Sequence, residues 1–233
     1  MYLINHYGRA QMKQATMKSV ILGSVMGAGL VVSGASMAGG LSGNVGMVTE
    51  YIFRGVPQSN ATGSAGLDYD IGNGLSVGTW GADVGDGMEV DVYGSYSGEM
   101  KDFSYSAGIT TYNYTGNFDD NYKEINLGAG YGPVSVAFAK GKYETKPDTL
   151  NYSFVSATAE HSGAYITYGK WGGDLADVYG KYIEVGYGTE VGGFDTGISI
   201  VNVDKKVSGT IDDHGKPTSD MTMVFSLGKS FDL

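Results

Sequence analysis

From residue 41 onward, apolar and polar residues alternate with a period of two in twelve stretches separated by turn-forming residues. They cover 41–53, 63–71, 75–83, 88–97, 103–114, 122–131, 134–142, 150–160, 164–171, 179–188, 194–203 and 221–233. A period of two marks a strand with one apolar and one polar face, because successive side chains point to opposite sides. No window of 18 apolar residues occurs and no stretch keeps a 3.6-residue period, so helical membrane spans are excluded.

The two faces separate cleanly in most stretches. In the first, Leu41, Val45, Met47, Tyr51 and Phe53 share one parity, and Ser42, Asn44, Glu50 and Arg54 share the other. Leu67, Tyr69 and Ile71 oppose Asp68 and Asp70, and Leu75 and Val77 oppose Ser76 and Trp80. Met88, Val90, Val92 and Tyr96 oppose Glu89, Asp91, Tyr93 and Ser95, while Ile183, Val185 and Tyr187 oppose Tyr182 and Glu184. The eighth and ninth stretches have no cleanly apolar parity and receive no face assignment. Lys140 and Lys181 fall on the apolar parity near strand ends, where a long side chain can snorkel.

Strand lengths and connections then choose the architecture. Most stretches run close to the 9 to 11 residues that a tilted strand needs to cross a bilayer. Short connections such as Gly72-Asn73-Gly74, Gly132-Pro133 and His161-Ser162-Gly163 nearly alternate with longer ones, of which 204–220 is the longest. That alternation predicts an all-β fold, a transmembrane antiparallel up-and-down β-barrel of about 12 strands with periplasmic termini, periplasmic turns and external loops. A charge on the lipid face near the midplane costs about 2 to 4 kcal/mol for Lys or Arg, so the charged parity is expected inside. A secreted β-sandwich adhesin is the alternative architecture, and it would claim the unclear eighth and ninth stretches.

Composition agrees with a barrel. The 39 glycines carry no Gly-X-Y period, and 18 Tyr against 8 Phe and 2 Trp favour aromatics with one wettable end, suited to an interfacial girdle. Mean hydropathy is −0.12, as expected when every second residue faces water. The absence of Cys removes disulfides, thiolate metal sites and thiol catalysis.

The N-terminus reads as an export signal. Lys13 and Lys18 precede an apolar run over 20–32, and Ser36-Met37-Ala38 suits cleavage before Gly39. Residues 1–38 are therefore expected to be a cleaved signal peptide, with 1–11 an over-extended start and Met12 or Met17 the initiator. Residues 39–233 then form a single barrel domain. Its 12 basic against 25 acidic residues give a formal net charge of −13, which argues against nucleic acid as a partner.

Two resemblances sharpen the expectation. The alternation of apolar and aromatic residues back from Leu233 resembles the closing strand recognised by the outer-membrane assembly machinery, although such strands most often end in Phe. The stretch N-V-G-M-V-T-E-Y-I-F-R-G-V-P-Q-S over 44–59, with Gly66-Leu67-Asp68-Tyr69, Gly78-Thr79-Trp80 and Glu89-Val90-Asp91-Val92-Tyr93-Gly94, resembles the TorF-type porins of proteobacteria. Its strongest part is Y-I-F-R-G-V-P-Q-S. The resemblance implies a barrel in the outer membrane of a Gram-negative bacterium, in contact with its lipid and lipopolysaccharide, and a transport role with no stated solute.

The inward parity supplies the candidate pore-lining residues Glu50, Arg54, Asp68, Asp70, Trp80, Glu89, Asp91, Tyr93, Tyr182 and Glu184. Acids outnumber Arg54 among them, so a narrow channel for small neutral or cationic solutes is expected. The alternative is a non-conducting structural or recognition barrel, closed where Arg54 pairs with Glu50, Glu89 or Asp91. If a loop folds inward, 204–220 is the long candidate, and a solvated external loop is the simpler expectation for it.

Catalysis is not expected, because His161 lies in a turn beside Ser162 and His214 in the last loop, neither beside a rim nucleophile. Asp68 and Asp70 are two residues apart on one strand and read as lumen charges rather than a glycosidase pair. The oxygen-rich 117–121 lacks EF-hand spacing, so neither a metal site nor a cofactor is expected.

Overall fold

Twelve antiparallel strands close into a barrel in which each strand pairs with its sequence neighbours and the first pairs with the last. They are β1 (Leu41–Phe53), β2 (Val56–Gly72), β3 (Leu75–Asp83), β4 (Met88–Met100), β5 (Phe103–Tyr114), β6 (Tyr122–Tyr131), β7 (Val134–Tyr143), β8 (Leu150–His161), β9 (Ala164–Gly173), β10 (Lys181–Val191), β11 (Phe194–Val203) and β12 (Asp220–Asp232). A one-turn helix, α1 (Ala176–Tyr179), sits between β9 and β10, where the alternation had predicted the start of a strand at 179. The computed structural model describes residues 39–233, so the expected signal peptide and start site lie outside the described residues. A β-sandwich is overturned, because the single sheet closes on itself and leaves no second layer.

The two ends of the barrel differ in kind. At one end, the turn end, strands are joined by two-residue turns, including Asn73-Gly74, Ser162-Gly163 and Gly192-Gly193. Asn73 and Gly74 have φ of 54° and 83°, the pair of positive values that a tight hairpin with twisted strands requires. Both described ends of the chain lie here, where the Leu233 amide donates to the Leu41 carbonyl at 2.9 Å. The other end, the loop end, carries the connections 84–87, 115–121, 144–149, 174–180 and 204–219.

Burial along each strand follows the alternation, inverted relative to a water-soluble core. Val45, Met47, Leu67, Ile71, Val92, Ile109 and Ile125 point outward, with exposures from 47% to 66%, while their neighbours along each strand face inward. The ambiguity of the eighth and ninth stretches resolves in the same way. Tyr152, Phe154, Tyr165 and Trp171 are buried inward-facing aromatics, opposite the outward Val155, Ile166 and Tyr168. Both parities there are apolar because this part of the lumen is filled with rings.

The largest departure from the sequence reading is at the first connection. The stretch 54–62 was expected to be a loop, yet β2 begins at Val56 and only Arg54 and Gly55 form the turn. β1 leaves β12 after Val48, which pairs with Ser226, and β2 meets β3 only from Ser64, which pairs with Ala82. Between those points the two strands pair with each other alone, from Glu50 with Asn60 to Phe53 with Val56, across a register shift after Tyr51. Freed from both wall neighbours, this ribbon bends into the barrel.

Candidate functional site in the lumen

The bend breaks the parity rule in β1. A bulge falls between Tyr51 and Ile52, and both side chains are buried, at 1% and 6% exposure. Tyr51 and Phe53 had been assigned to the outward face; the bend turns Tyr51 onto Glu89 and Phe53 onto the rings of Tyr112 and Trp171, so neither points to the exterior. Ala61, with φ of 52°, marks the returning strand, where Ser59 and Thr62 bond through their hydroxyls and Ser59 donates to the Asp83 carbonyl at 3.0 Å. These contacts tie the base of the ribbon to the rim.

At the tip, Arg54 reaches across to the opposite wall. Its Nη1 and Nη2 donate to Glu124 Oε2 and Oε1 at 2.9 and 2.7 Å, a bidentate pair that matches the planar guanidinium to the carboxylate. Glu124 also accepts from the hydroxyls of Tyr112 at 2.6 Å and Tyr152 at 2.8 Å. Four donors on one buried carboxylate meet its full accepting capacity, which a charge removed from water needs. The guanidinium lies 4.7 Å from the ring centres of both Phe53 and Phe154, and Trp171 Nε1 donates to the Arg54 carbonyl at 3.0 Å. The expected pairing of Arg54 with Glu50, Glu89 or Asp91 is corrected: the inward bend carries the guanidinium past β4 to β6.

Gly55 permits the close approach. Its φ of 81° lies in the left-handed region, and a Cβ there would sit 2.6 Å from the Cβ of Tyr182. Above the tip, rings close the remaining space. Tyr122 stacks on Tyr143 at 4.3 Å, and both hydroxyls donate to Asp119 from the 115–121 loop, at 2.9 and 2.6 Å. Asp119 thus works as an inward anchor for the aromatic layer. A cavity of about 20 Å³ beside Phe53, Val56, Tyr112 and Trp171 has room for roughly one water. In this conformation the lumen is shut at the level of the ribbon.

The predicted lining residues distribute around and below this closure. Glu89 accepts from Tyr51 at 3.1 Å, and Trp80 packs edge-on against the same ring at 5.9 Å. Asp91 is fully buried at 0% exposure with neither oxygen hydrogen-bonded; Glu89 and Glu124 are its acidic neighbours and Arg54 its basic one. Tyr182 stacks on Phe154, and Glu184 accepts from Tyr165 at 2.6 Å. Toward the turn end, Asp68 accepts from Tyr93 at 2.6 Å and from Asn44 at 3.3 Å. Asp70 instead accepts the Gly72 amide at the turn, and Glu50 remains half-buried on the ribbon.

Sequence reasoning missed Glu124, Tyr112, Tyr152 and Trp171. The alternation of β6 held the signal for Glu124, since Tyr122, Glu124 and Asn126 share the buried parity. The 204–220 segment does not close the lumen: residues 211–217 are exposed, clipped by the Ile211 and Pro217 bridge, and carry His214. His161 ends β8 at the opposite end of the barrel. Among the described residues no group of three acidic, His or Cys side chains is arranged to hold a metal ion.

Comparison with known proteins adds family and fold. No curated protein matches the sequence. The model of a family described as a bacterial protein of unknown function, Gcw_chp, matches residues 33–231. The barrel is similar to a structure solved in work on the in-meso crystallization of membrane proteins, with a TM-score of 0.54 at 9% identity over 84% of each chain. It is also similar to the KdgM porin, with a TM-score of 0.53 at 12% identity over 82% of this chain and 99% of that one. At such identities the likeness concerns the porin-like barrel fold alone.

Proposed function

Because the chain belongs to the Gcw_chp family of bacterial proteins of unknown function, we propose from its own geometry that it is an outer-membrane barrel with a narrow porin-like passage for small neutral or cationic solutes. The β1–β2 ribbon closes that passage in the conformation described. The apolar exterior suits hydrocarbon, and the turn end with both chain ends faces the periplasm, as for outer-membrane barrels generally. The signal-like segment 1–38 would bring the chain there, and the alternation of β12 would present it to the assembly machinery. The resemblance of 51–59 to the TorF-type porins supports the same reading, and those residues build the ribbon.

The observation that carries the proposal is the mode of closure. A lumen meant only as a solid core would be filled from the wall, as in small barrels. Here the closing element is a ribbon released by both wall neighbours and held at its tip by one ion pair, the Trp171 hydrogen bond to the Arg54 carbonyl and ring contacts. Once it swings aside, the inward Glu89, Asp91 and Glu184 leave a lining that favours cations.

The refolded protein in planar bilayers tests this by single-channel conductance and reversal potential in a salt gradient. Wild type is expected to give small or rare steps, and a variant with residues 55–60 replaced by a two-residue turn larger, cation-preferring steps. A folded, heat-modifiable ribbon variant that conducts nothing overturns the channel. It leaves the second reading, a closed barrel with the loop end as a recognition surface, which the filled upper lumen favours.

A further inference from the structure

The outer wall carries a charge pattern that the passage does not use. Lys123, Lys140, Lys142, Lys170 and Lys181 all point outward at the loop end of β6, β7, β9 and β10, on a chain whose described part is strongly acidic. Four sit directly beyond the apolar band and Lys142 one position further: Ile125 follows Lys123 on its face, Phe138 precedes Lys140, Tyr168 precedes Lys170, and Ile183 follows Lys181. The matching outward positions on the other wall are Asp83, Met88, Asn113 and Asn202, so the lysines form a patch and not a girdle.

Their register is unfavourable without a counter-charge. Lys123 lies directly opposite Lys142, and Lys170 directly opposite Lys181. Like charges facing each other across neighbouring strands destabilise a sheet. Lys123 has Glu144 at 2.8 Å, but Lys140, Lys142, Lys170 and Lys181 have no ion-pair partner among the described residues. Lys170 and Lys181 also line a surface recess of about 380 Å³ together with Asp177, Asp204 and Lys206, the last already paired with Asp177 at 3.0 Å. Two strand spacings and a two-residue offset put Lys140 and Lys170 roughly 12 Å apart along the sheet.

We infer that this wall is a docking site for a phosphorylated glycolipid of the outer leaflet, whose separate phosphates occupy the Lys140/Lys142 and Lys170/Lys181 positions. The inference rests on the outer-membrane reading above, which puts the loop end at headgroup level. Lysine stems would lie along the apolar band while the ammonium groups reach up to the phosphates. Two lysine clusters at that spacing suit one headgroup with more than one phosphate better than lipids with one each.

Native mass spectrometry of the refolded protein in zwitterionic detergent tests it, with bisphosphorylated lipid A as the probe and the dephosphorylated glycolipid beside it. Wild type should retain lipid A in preference to the dephosphorylated form. Lys140→Gln/Lys170→Gln/Lys181→Gln should weaken retention on the order of 100-fold, at about fivefold per lysine. Lys205→Gln/Lys216→Gln in the last loop should not change it. Heat-modifiable mobility checks folding, and the Lys140→Gln and Lys170→Gln single variants give the same comparison if the triple variant folds poorly. Equal binding by wild type and a folded lysine variant, equal retention of the dephosphorylated glycolipid, or displacement by inorganic phosphate alone overturns the inference. A protein that enters bilayers and conducts but ignores lipid A defeats this inference alone, whereas one that enters no bilayer defeats the membrane reading beneath it.

Discussion

Glu124 collects two bonds from Arg54 and one each from Tyr112 and Tyr152, with its side chain at 0% exposure. Removing one partner of such a pair strands the other, so Glu124→Gln should cost about 3 to 5 kcal/mol in urea unfolding followed by tryptophan fluorescence. The double variant Arg54→Leu/Glu124→Leu should lose less than the single one, since no buried charge is left behind. Asp91 presents the opposite case: a buried carboxylate without a hydrogen bond and with acidic neighbours. Asp91→Asn should raise the unfolding free energy by about 1 kcal/mol or more; an unchanged or lower value in the same assay refutes that account. Arg54 was legible in the sequence as an inward charge. Its partner was not, because pairing was sought among residues at similar height on β1 and β4, and the bend delivers the guanidinium to β6.

The β1–β2 ribbon shows why one element escaped the pattern. Pro57, Asn60 and Ala61 read as loop residues, and no alternation survives there because a ribbon inside a lumen has no lipid face. Its strands form because they satisfy each other's backbone groups after leaving β12 and β3. Gly55→Val would drive a branched side chain into Tyr182 at a positive φ and should expel the tip. Trypsin should then cut after Arg54 in the variant and spare it in wild type, with the fragment masses read by mass spectrometry. Cleavage at equal rates in both would mean that the ribbon is not held inside. β8 and β9 were ambiguous for a related reason, since Tyr152, Phe154 and Trp171 fill the space around the tip and make the inner face as apolar as the outer.

For the molecule as a whole, strand number, order and the asymmetry of the two ends were legible, because each follows from alternation and turn chemistry within one or two hairpins. The closure of the lumen was not, because it depends on contacts between β1–β2 and β6–β10 across the barrel. The asymmetry also predicts where the chain tolerates change. A short peptide tag inserted between Asp213 and His214, in an exposed loop, should leave refolding yield near that of wild type, whereas the same tag between Asn73 and Gly74 should abolish it. The early departure of β1 has a mechanical side. The seam between first and last strands runs from the Leu41 and Leu233 bond through Ser42 and Asp232 to Val48 and Ser226, and past Val48 the Phe225 amide donates to the Thr49 hydroxyl. Pulled by Leu233, the wall behaves as a zipper with its upper teeth missing on one side, so β12 should peel away as the first discrete step in a force trace.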